Sequence, residues 1–544
     1  LLGLEPGGSG VVNFENVFER LDELIEQDIN LVNAPGIAVG LTNRDQLLRV
    51  RGYGTSNVDK QNPVQLETLF EIGSISKAFT SIAILQLQEQ GLLNVHDPVT
   101  KHLPWFEIQS QFDPITLHHL MSHSAGIIMG ADVTPSDYLE TWNLRHTEVG
   151  ASPGMKFQYS NIGYKVLGLV LQEILRQDIS EILRERVLDP LGMKDTESVI
   201  THDTRARLAV GYEAFYDDRP LPRGGPLAPA TWLEFDAADG SICTTAADMC
   251  IYLRALLCRG QGILEEPSFE QLIRPIIPTA DGLHGEYYGY GLFIEEIEGH
   301  QAIGHSGGMV GYTANLLADV DAGLGVVVLT NGPAEPEGIV RYALGSLRAA
   351  QEERQLPPLP VNDPRKIDNA NDYAGTYHSR DKAFRLLPQG DQLCLEFKGD
   401  TTPLESRAPH GFYVPQPAFE RFLLHFGSED GKIVEALHGP DWYIRNNELI
   451  SNHLTHPLEW EAYPGHYRSY NPWLSNFRVV LRKGLLVLIY PSGIEEHLVP
   501  LRKGVFRVGE DSHSPERLSF DVVLKGQAMQ ANLSGGVYCR TFTP

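Results

Sequence analysis

A chain of 544 residues, 42% hydrophobic and 21% charged, has apolar material for several cores and is not a disordered polymer. Forty-four basic against seventy acidic residues leave a net charge of −26, a field that repels phosphate backbones and anionic lipid, so nucleic acid is excluded as a partner. No apolar run nears the ~18 residues of a membrane span, and the opening Leu1-Leu2-Gly3-Leu4 lacks the regions of a signal peptide.

Residues 14–30 place Phe14, Val17, Phe18, Leu21, Leu24 and Ile25 at helical spacing and predict an amphipathic helix. Strand-like runs follow at 36–42 and 47–54, around an Asn43-Arg44-Asp45 turn. From 76 to 90 the pattern is apolar on nearly every side, as expected of a helix in the middle of a domain, with Gly91 as its stop. Helical and loop segments continue to about residue 260. Strand patterns return at 288–296, 301–305, 312–318 and 325–330, and a last helix covers about 338–349. Strands at both ends with helices between them predict one antiparallel sheet, completed by distant segments and carrying a large helical insertion.

Composition changes at Leu356-Pro357-Pro358-Leu359-Pro360, the predicted linker, and beyond it short strands and turns run to the end. A weak repeat is visible there. Tyr373-Ala374-Gly375-Thr376-Tyr377 is echoed by Tyr463-Pro464-Gly465-His466-Tyr467, and His410-Gly411-Phe412-Tyr413-Val414 by Lys503 to Val508. The expected organisation is a first domain over 1–352, a linker over 353–367, and two small antiparallel β-barrels over 368–460 and 461–544. Five cysteines without a spacing pattern (Cys243, Cys250, Cys258, Cys394, Cys539) read as small thiols and favour a cytoplasmic chain, a secreted or periplasmic one being the case if a signal peptide was removed.

Three short motifs carry chemistry. In Ser74-Ile75-Ser76-Lys77 the spacing of three puts a lysine amine on the same helical face as a serine hydroxyl, which is a poor nucleophile until a neighbour takes its proton. The helix start also supplies N–H groups suited to a developing oxyanion. In Tyr159-Ser160-Asn161, ahead of an apolar helix, a tyrosine beside a cation can exchange protons and an asparagine can hold a substrate amide. In Gly304-His305-Ser306-Gly307-Gly308, glycines at a strand edge let a substrate backbone approach, and the Gly308 N–H is a second oxyanion donor. His119 and His123 have the i, i+4 spacing of metal ligands, but no glutamate intervenes and no third ligand follows, so neither metal nor cofactor is expected.

Together, and in this order, the three motifs resemble those of the serine β-lactamase and penicillin-binding-protein superfamily, in particular class C β-lactamases, D,D-peptidases, family VIII esterases and D-aminopeptidases. Phe70-Glu71-Ile72-Gly73 ahead of Ser74, the run from Ile115 to Gly126, Asp189-Pro190-Leu191-Gly192-Met193 and Thr244 to Met249 extend the likeness over about residues 14–350. The resemblance implies an α/β catalytic domain, an antiparallel sheet flanked by helices with a helical subdomain. It also implies that Ser74 is acylated, that Lys77 assists its deprotonation, and that Tyr159 passes protons to the leaving group and activates water. Asn161, His305, Gly307 and Gly308 would bind substrate and its oxyanion. His305 stands where β-lactamases usually have lysine, as in certain D,D-peptidases and D-aminopeptidases, which argues against efficient antibiotic hydrolysis.

One catalytic domain followed by two barrels resembles the D-aminopeptidase architecture, in which a barrel loop reaches the active site. Gly509 to Ser514 is the acidic, turn-rich candidate here, with Glu510 and Asp511 as carboxylates for a substrate ammonium. The expected activity is release of N-terminal D-amino acids from small peptides, amides or esters. An esterase or acyltransferase, or a D,D-peptidase, would use the same serine. The expected partner is a small-molecule or short-peptide substrate, with homo-oligomerisation left open.

Overall fold

The computed structural model describes residues 13–29, 34–130, 136–279, 286–360, 363–380, 382–446 and 455–541. One antiparallel sheet of nine strands organises the first part of the chain. Its centre joins the two ends of that part: Gly36–Asn43 pairs along its length with Leu324–Thr330, Val39 opposite Val328. Both strands are almost wholly buried, as near-continuous apolar runs require when each face of a sheet is covered.

One face is covered by the helices Glu15–Asp28 and Glu337–Gln351, which pack Val17, Leu21 and Ile25 with Val340 and Leu344 on Val39, Val326 and Val328. The other face carries the main core, built on the helices Ser76–Glu89, Asn161–Leu175 and Ala246–Leu257. The helical insertion therefore lies on the side where the helix Ser76–Glu89 is buried, and the strand His300–Met309, paired between Phe293–Ile297 and Tyr312–Asp319, borders it. Among the described residues no helix is long and apolar enough to cross a membrane.

The run at 288–296 does not form one strand. It divides into Tyr287–Tyr288 and Phe293–Ile297. The break is Gly291, at φ +78°, where a β-carbon would fall 2.8 Å from the backbone of Ala78. A turn that presses on the helix Ser76–Glu89 has no room for a side chain.

Beyond the first part, two β units follow. The strands Gly465 to Arg540 form a closed eight-stranded barrel. The strands between Gly375 and Arg445 form a nine-stranded sheet whose two ends, Asp400–Pro403 and Glu405–Ala408, are not paired with each other. These edges are consecutive strands separated by Leu404, so this sheet curls nearly to closure without a final ladder. The tyrosine echo marks the same device in both units: the Tyr377 hydroxyl donates to the Tyr373 carbonyl at 2.8 Å, and the Tyr467 hydroxyl to the Tyr463 carbonyl at 2.6 Å. Each pair ties a short 3₁₀ turn to the first strand of its unit.

The second barrel is pinned to the first part of the chain. Asp217 receives Arg468 at 3.2 Å and Ser475 at 2.8 Å, Asp218 receives Arg478 at 3.2 Å, and Trp473 packs against Phe235 with ring centroids 5.9 Å apart.

Candidate active site

Gly73–Ile75 make one 3₁₀ turn that runs directly into the helix Ser76–Glu89, and no side chain caps its start. Ser74 is half-buried, and Lys77 is completely buried. Burying an amine among apolar side chains is costly unless its protons find acceptors. Lys77 Nζ donates to Ser74 Oγ at 2.8 Å and to the Asp239 carbonyl at 3.0 Å. It also lies 5.1 Å from the centroid of the Tyr159 ring and 5.7 Å from that of Tyr164. The lysine is thus aimed at the serine from within the protein, the arrangement needed to take the hydroxyl proton as the oxygen attacks.

Tyr159 reaches the same place from a loop braced at Ser160. As N-cap of the helix Asn161–Leu175, Ser160 accepts the Gly163 N–H through Oγ at 3.1 Å and donates its hydroxyl to the Ile128 carbonyl at 2.7 Å. Its own N–H donates to His123 Nδ1 at 3.1 Å. Burial holds the His123 imidazole neutral, well below the usual histidine range, so with Nδ1 accepting, the proton is on Nε2. The His123 and Tyr159 ring centroids are 4.2 Å apart. Asn161 Oδ1 is buried without a hydrogen-bond partner, an acceptor ready for a substrate N–H. Replacing Tyr159 with Phe removes only the hydroxyl and should lower kcat by about 10²–10³-fold if it carries the proton to the leaving group. Steady-state rates near those of the parent protein would remove it from that role.

The strand His300–Met309 forms the opposite wall, and contact requires a glycine at 307. A β-carbon on Gly307 would lie 1.8 Å from the Ile72 carbonyl oxygen, and one on Gly73 would lie 2.8 Å from Gly308 N. Gly308 itself faces open space, with nothing within 4 Å of where its β-carbon would be. The strand thereby presents the Gly308 N–H beside the Gly73–Ser74 peptide, where two backbone donors can meet one oxyanion.

His305 is held in a single neutral form. Its Nδ1 donates to the Ser306 carbonyl, and the Tyr288 hydroxyl donates to Nε2 at 3.0 Å. Burial, with the Lys77 charge nearby, lowers its pKa to about 3. It therefore offers substrate neither a positive charge nor a free ring nitrogen. His118, bonded to the Tyr290 hydroxyl at 2.8 Å, is lowered to about 4 by burial, and His119 closes a capping box with Thr116. Among the described residues no group of three or more His, Cys, Asp or Glu is arranged to hold a metal ion. Histidines kept neutral in the fold but free to protonate when unfolded make stability rise with pH across the window from their folded pKa values to the unfolded value of ~6.5. The melting temperature should therefore fall as pH drops from about 6.5 towards 4. A melting temperature constant over that window would contradict the burial of these neutral rings.

The beta-lactamase family model matches residues 21–350, which contain all three motifs. The chain belongs to the beta-lactamase family. Among its relatives, the protein flp of Staphylococcus aureus strain MW2 is 33% identical over 206 residues, 36% of this chain and 41% of that protein. The chain thus aligns with about two fifths of that relative's length. Penicillin-binding protein 4* of Bacillus subtilis strain 168 is 23% identical over 424 residues, covering 71% of this chain and 87% of that one. Among solved structures, the octameric penicillin-binding protein homologue from Pyrococcus abyssi superposes with a TM-score of 0.58 at 25% identity, over 80% of this chain and all of that one. A D-stereospecific amidohydrolase from Streptomyces sp. shares the fold with a TM-score of 0.51 at 19% identity, over 61% of this chain and 98% of that one.

To the family's core this chain adds contacts from the second barrel, through two loops. In the first, Asp511 is ion-paired with Lys156, three residues before Tyr159, and Glu516 accepts the Met129 N–H at 2.7 Å. The backbone of His513 lies so close to Gly150 that a β-carbon there would fall 2.2 Å from its carbonyl oxygen. Glu510 turns away to His497 Nδ1 at 2.6 Å. The second loop, between the strands Gly465–Arg468 and Asn476–Arg482, carries Trp473 onto Phe235. Phe235 in turn packs 3.5 Å from the β-carbon position of Gly240, itself 3.8 Å from the Gly73 backbone. Sequence reasoning singled out neither Trp473, Phe235 nor Tyr288, and it weighed His123 only as a metal ligand. Trp473, Phe235 and Tyr288 belong to no local motif, and all four meet the site through tertiary packing.

Proposed function

We propose that this chain is a serine hydrolase that works through an acyl-enzyme. The observation that carries this reading is the fully buried Lys77 amine at 2.8 Å from Ser74 Oγ. As Ser74 Oγ bonds to the acyl carbon of substrate, its proton passes to Lys77 Nζ while the lysine gives up one of its own to Tyr159. The N–H groups of Ser74 and Gly308 receive the oxyanion, and Tyr159 protonates the departing amine or alcohol as the scissile bond breaks. Water then enters along the reverse path, activated by Tyr159 and Lys77, and releases the acid and the free serine.

The substrates we assign are small amides, peptides and esters, with release of an N-terminal D-amino acid as the favoured reaction. A D-stereospecific amidohydrolase among the structural neighbours supports that class. Neutral His305, with both ring nitrogens engaged, supports a substrate that brings no carboxylate to this wall. A second reading, esterase or acyltransferase, is favoured by the pairing of Asp511 with Lys156 and of Glu510 with His497, which leaves those carboxylates engaged rather than offered to an ammonium. One neighbour, EstCE1, is a hydrolase with promiscuous acyltransferase activity. The octameric homologue from Pyrococcus abyssi supports a homo-oligomer as the working state.

The deciding experiment compares D- and L-alanine p-nitroanilide, N-acetyl-D-alanine p-nitroanilide and p-nitrophenyl butyrate. Turnover of the free-amine D substrate alone supports the aminopeptidase. Turnover of the butyrate alone supports the esterase, and turnover of none of the four would defeat the hydrolase reading.

A further inference from the structure

A cavity of about 580 Å³ lies between the two β units, remote in sequence from every residue of the serine site. Three arginines line it, Arg421, Arg478 and Arg540, together with His466. In a chain of net charge −26, three guanidinium groups around one cavity are not explained by composition. Their partners account for only part of their hydrogen-bonding capacity. Arg540 donates to the carbonyls of Ala528 at 2.7 Å and Ala462 at 2.9 Å. Arg478 spends one Nη on Asp218 at 3.2 Å, but its Nε is buried without a partner. Arg421 forms no side-chain hydrogen bond or ion pair among the described residues. The nearby carboxylates are committed elsewhere, Asp218 to Arg219 at 2.9 Å as well as to Arg478, and Glu420 to Arg219. Burial and the charge of Arg421 lower the pKa of Arg478 although Asp218 opposes them, so the guanidinium groups crowd one another around the cavity.

His466 adds a second requirement. It is 6% exposed, and its Nε2 donates to Asn476 Oδ1 at 2.9 Å, because the Asn476 amide nitrogen already donates to the Asp217 carbonyl and Ser475 Oγ. Its Nδ1 is thus a buried acceptor, and it has no partner. A ligand completing this site must bring several anionic oxygens for guanidinium groups and one O–H for His466 Nδ1. A carboxylate lacks the O–H. A phosphate monoester has both, since its singly protonated form carries P–OH beside anionic oxygens, and guanidinium forks match phosphate geometry. Phe422, Val480 and Leu481 form an apolar part of the wall that suits the organic part of such an ester, while Gln527 and Thr541 add polar groups elsewhere on it.

We propose that the cavity between the two β units binds an organic phosphate monoester, with the phosphate held by Arg421, Arg478 and His466 and the organic group against Phe422 and Val480. The proposal is independent of what the serine site hydrolyses.

Titration calorimetry on the full chain tests it, with phenyl phosphate and inorganic phosphate as probes. Arg421→Gln serves as the variant, since Arg421 is exposed and its loss breaks no internal bond, and Arg176→Gln, on a remote exposed surface, serves as the charge control. The expected result is one saturable site for phenyl phosphate with Kd on the order of 0.1 mM, weakened about tenfold in Arg421→Gln, which corresponds to about 1.4 kcal/mol, and unchanged in Arg176→Gln. Inorganic phosphate should bind several-fold more weakly. Absence of saturable binding by phenyl phosphate overturns the proposal, as does equal weakening in both variants or no weakening in Arg421→Gln. Equal affinity for the two probes overturns the assignment to an ester.

Discussion

Ser74→Ala should lower kcat/KM on any substrate the protein turns over by roughly 10⁴-fold or more, while leaving the fold intact. The size of the effect follows from the proposed chemistry, in which the oxygen removed is the atom that carries the acyl group. Ser81 and Ser124, also in this region, are fully buried and bonded, Ser81 to the Tyr164 hydroxyl at 3.1 Å and Ser124 to Ser122 at 2.8 Å. The fold should survive because Ser74 is half-buried and Lys77 keeps the Asp239 carbonyl as an acceptor at 3.0 Å. Two measurements separate the outcomes: steady-state hydrolysis, and the intact mass of the protein quenched during turnover of a slow ester. The parent chain should gain the acyl mass and the variant should not. An acyl adduct on the alanine variant, or more than about one per cent residual rate, would place the nucleophile elsewhere.

What the sequence disclosed and what it concealed divide along the range of the interactions. Ser74 and Lys77 are three apart on one helical face, so their meeting was legible before any tertiary structure. The same holds for Ser160 as the cap of the helix that follows Tyr159, and for the glycines of the His300–Met309 strand. The tyrosine echo at Tyr373 and Tyr463 was legible because it is a local device, a hydroxyl reaching back four residues in each unit. By contrast, Tyr288 was read as part of one long strand because alternation alone does not reveal that Gly291 must touch Ala78. His123 looked like half of a metal pair because i, i+4 spacing is the same whether a helix continues or not. Here the helix stops at Met121, and His123 lies at φ +52°, turned to the Ser160 N–H. Trp473 had no signal, since a tryptophan in a barrel loop acquires meaning only when the barrel docks on Phe235. Glu510 and Asp511 were legible as an acidic turn, but their partners were not: His497 lies on a neighbouring barrel strand and Lys156 far back along the chain.

The adjacent glycines 307 and 308 should respond in opposite ways to the same added methyl group. Gly307→Ala places a β-carbon 1.8 Å from the Ile72 carbonyl oxygen and 2.8 Å from its carbon. These are backbone atoms, so no side chain can swing aside, and non-bonded contact requires about 3.4 Å or more. The strand and the Ile72–Ser74 turn must separate by more than an ångström, and that moves the two oxyanion donors apart. Misplacing a donor on that scale costs about 10²–10³-fold in kcat. Gly308→Ala adds the same methyl where nothing lies within 4 Å, and it keeps the N–H in place. That variant should stay within a few-fold of the parent in kcat, with any change appearing in KM as the methyl meets substrate. Circular dichroism and thermal melts of both variants establish that each is folded, after which the kcat ratio is the readout. If Gly308→Ala loses as much kcat as Gly307→Ala, the strand does not contribute to catalysis through its contact with the Ile72–Ser74 turn. Full activity in Gly307→Ala would mean that the oxyanion is held without the Gly308 N–H.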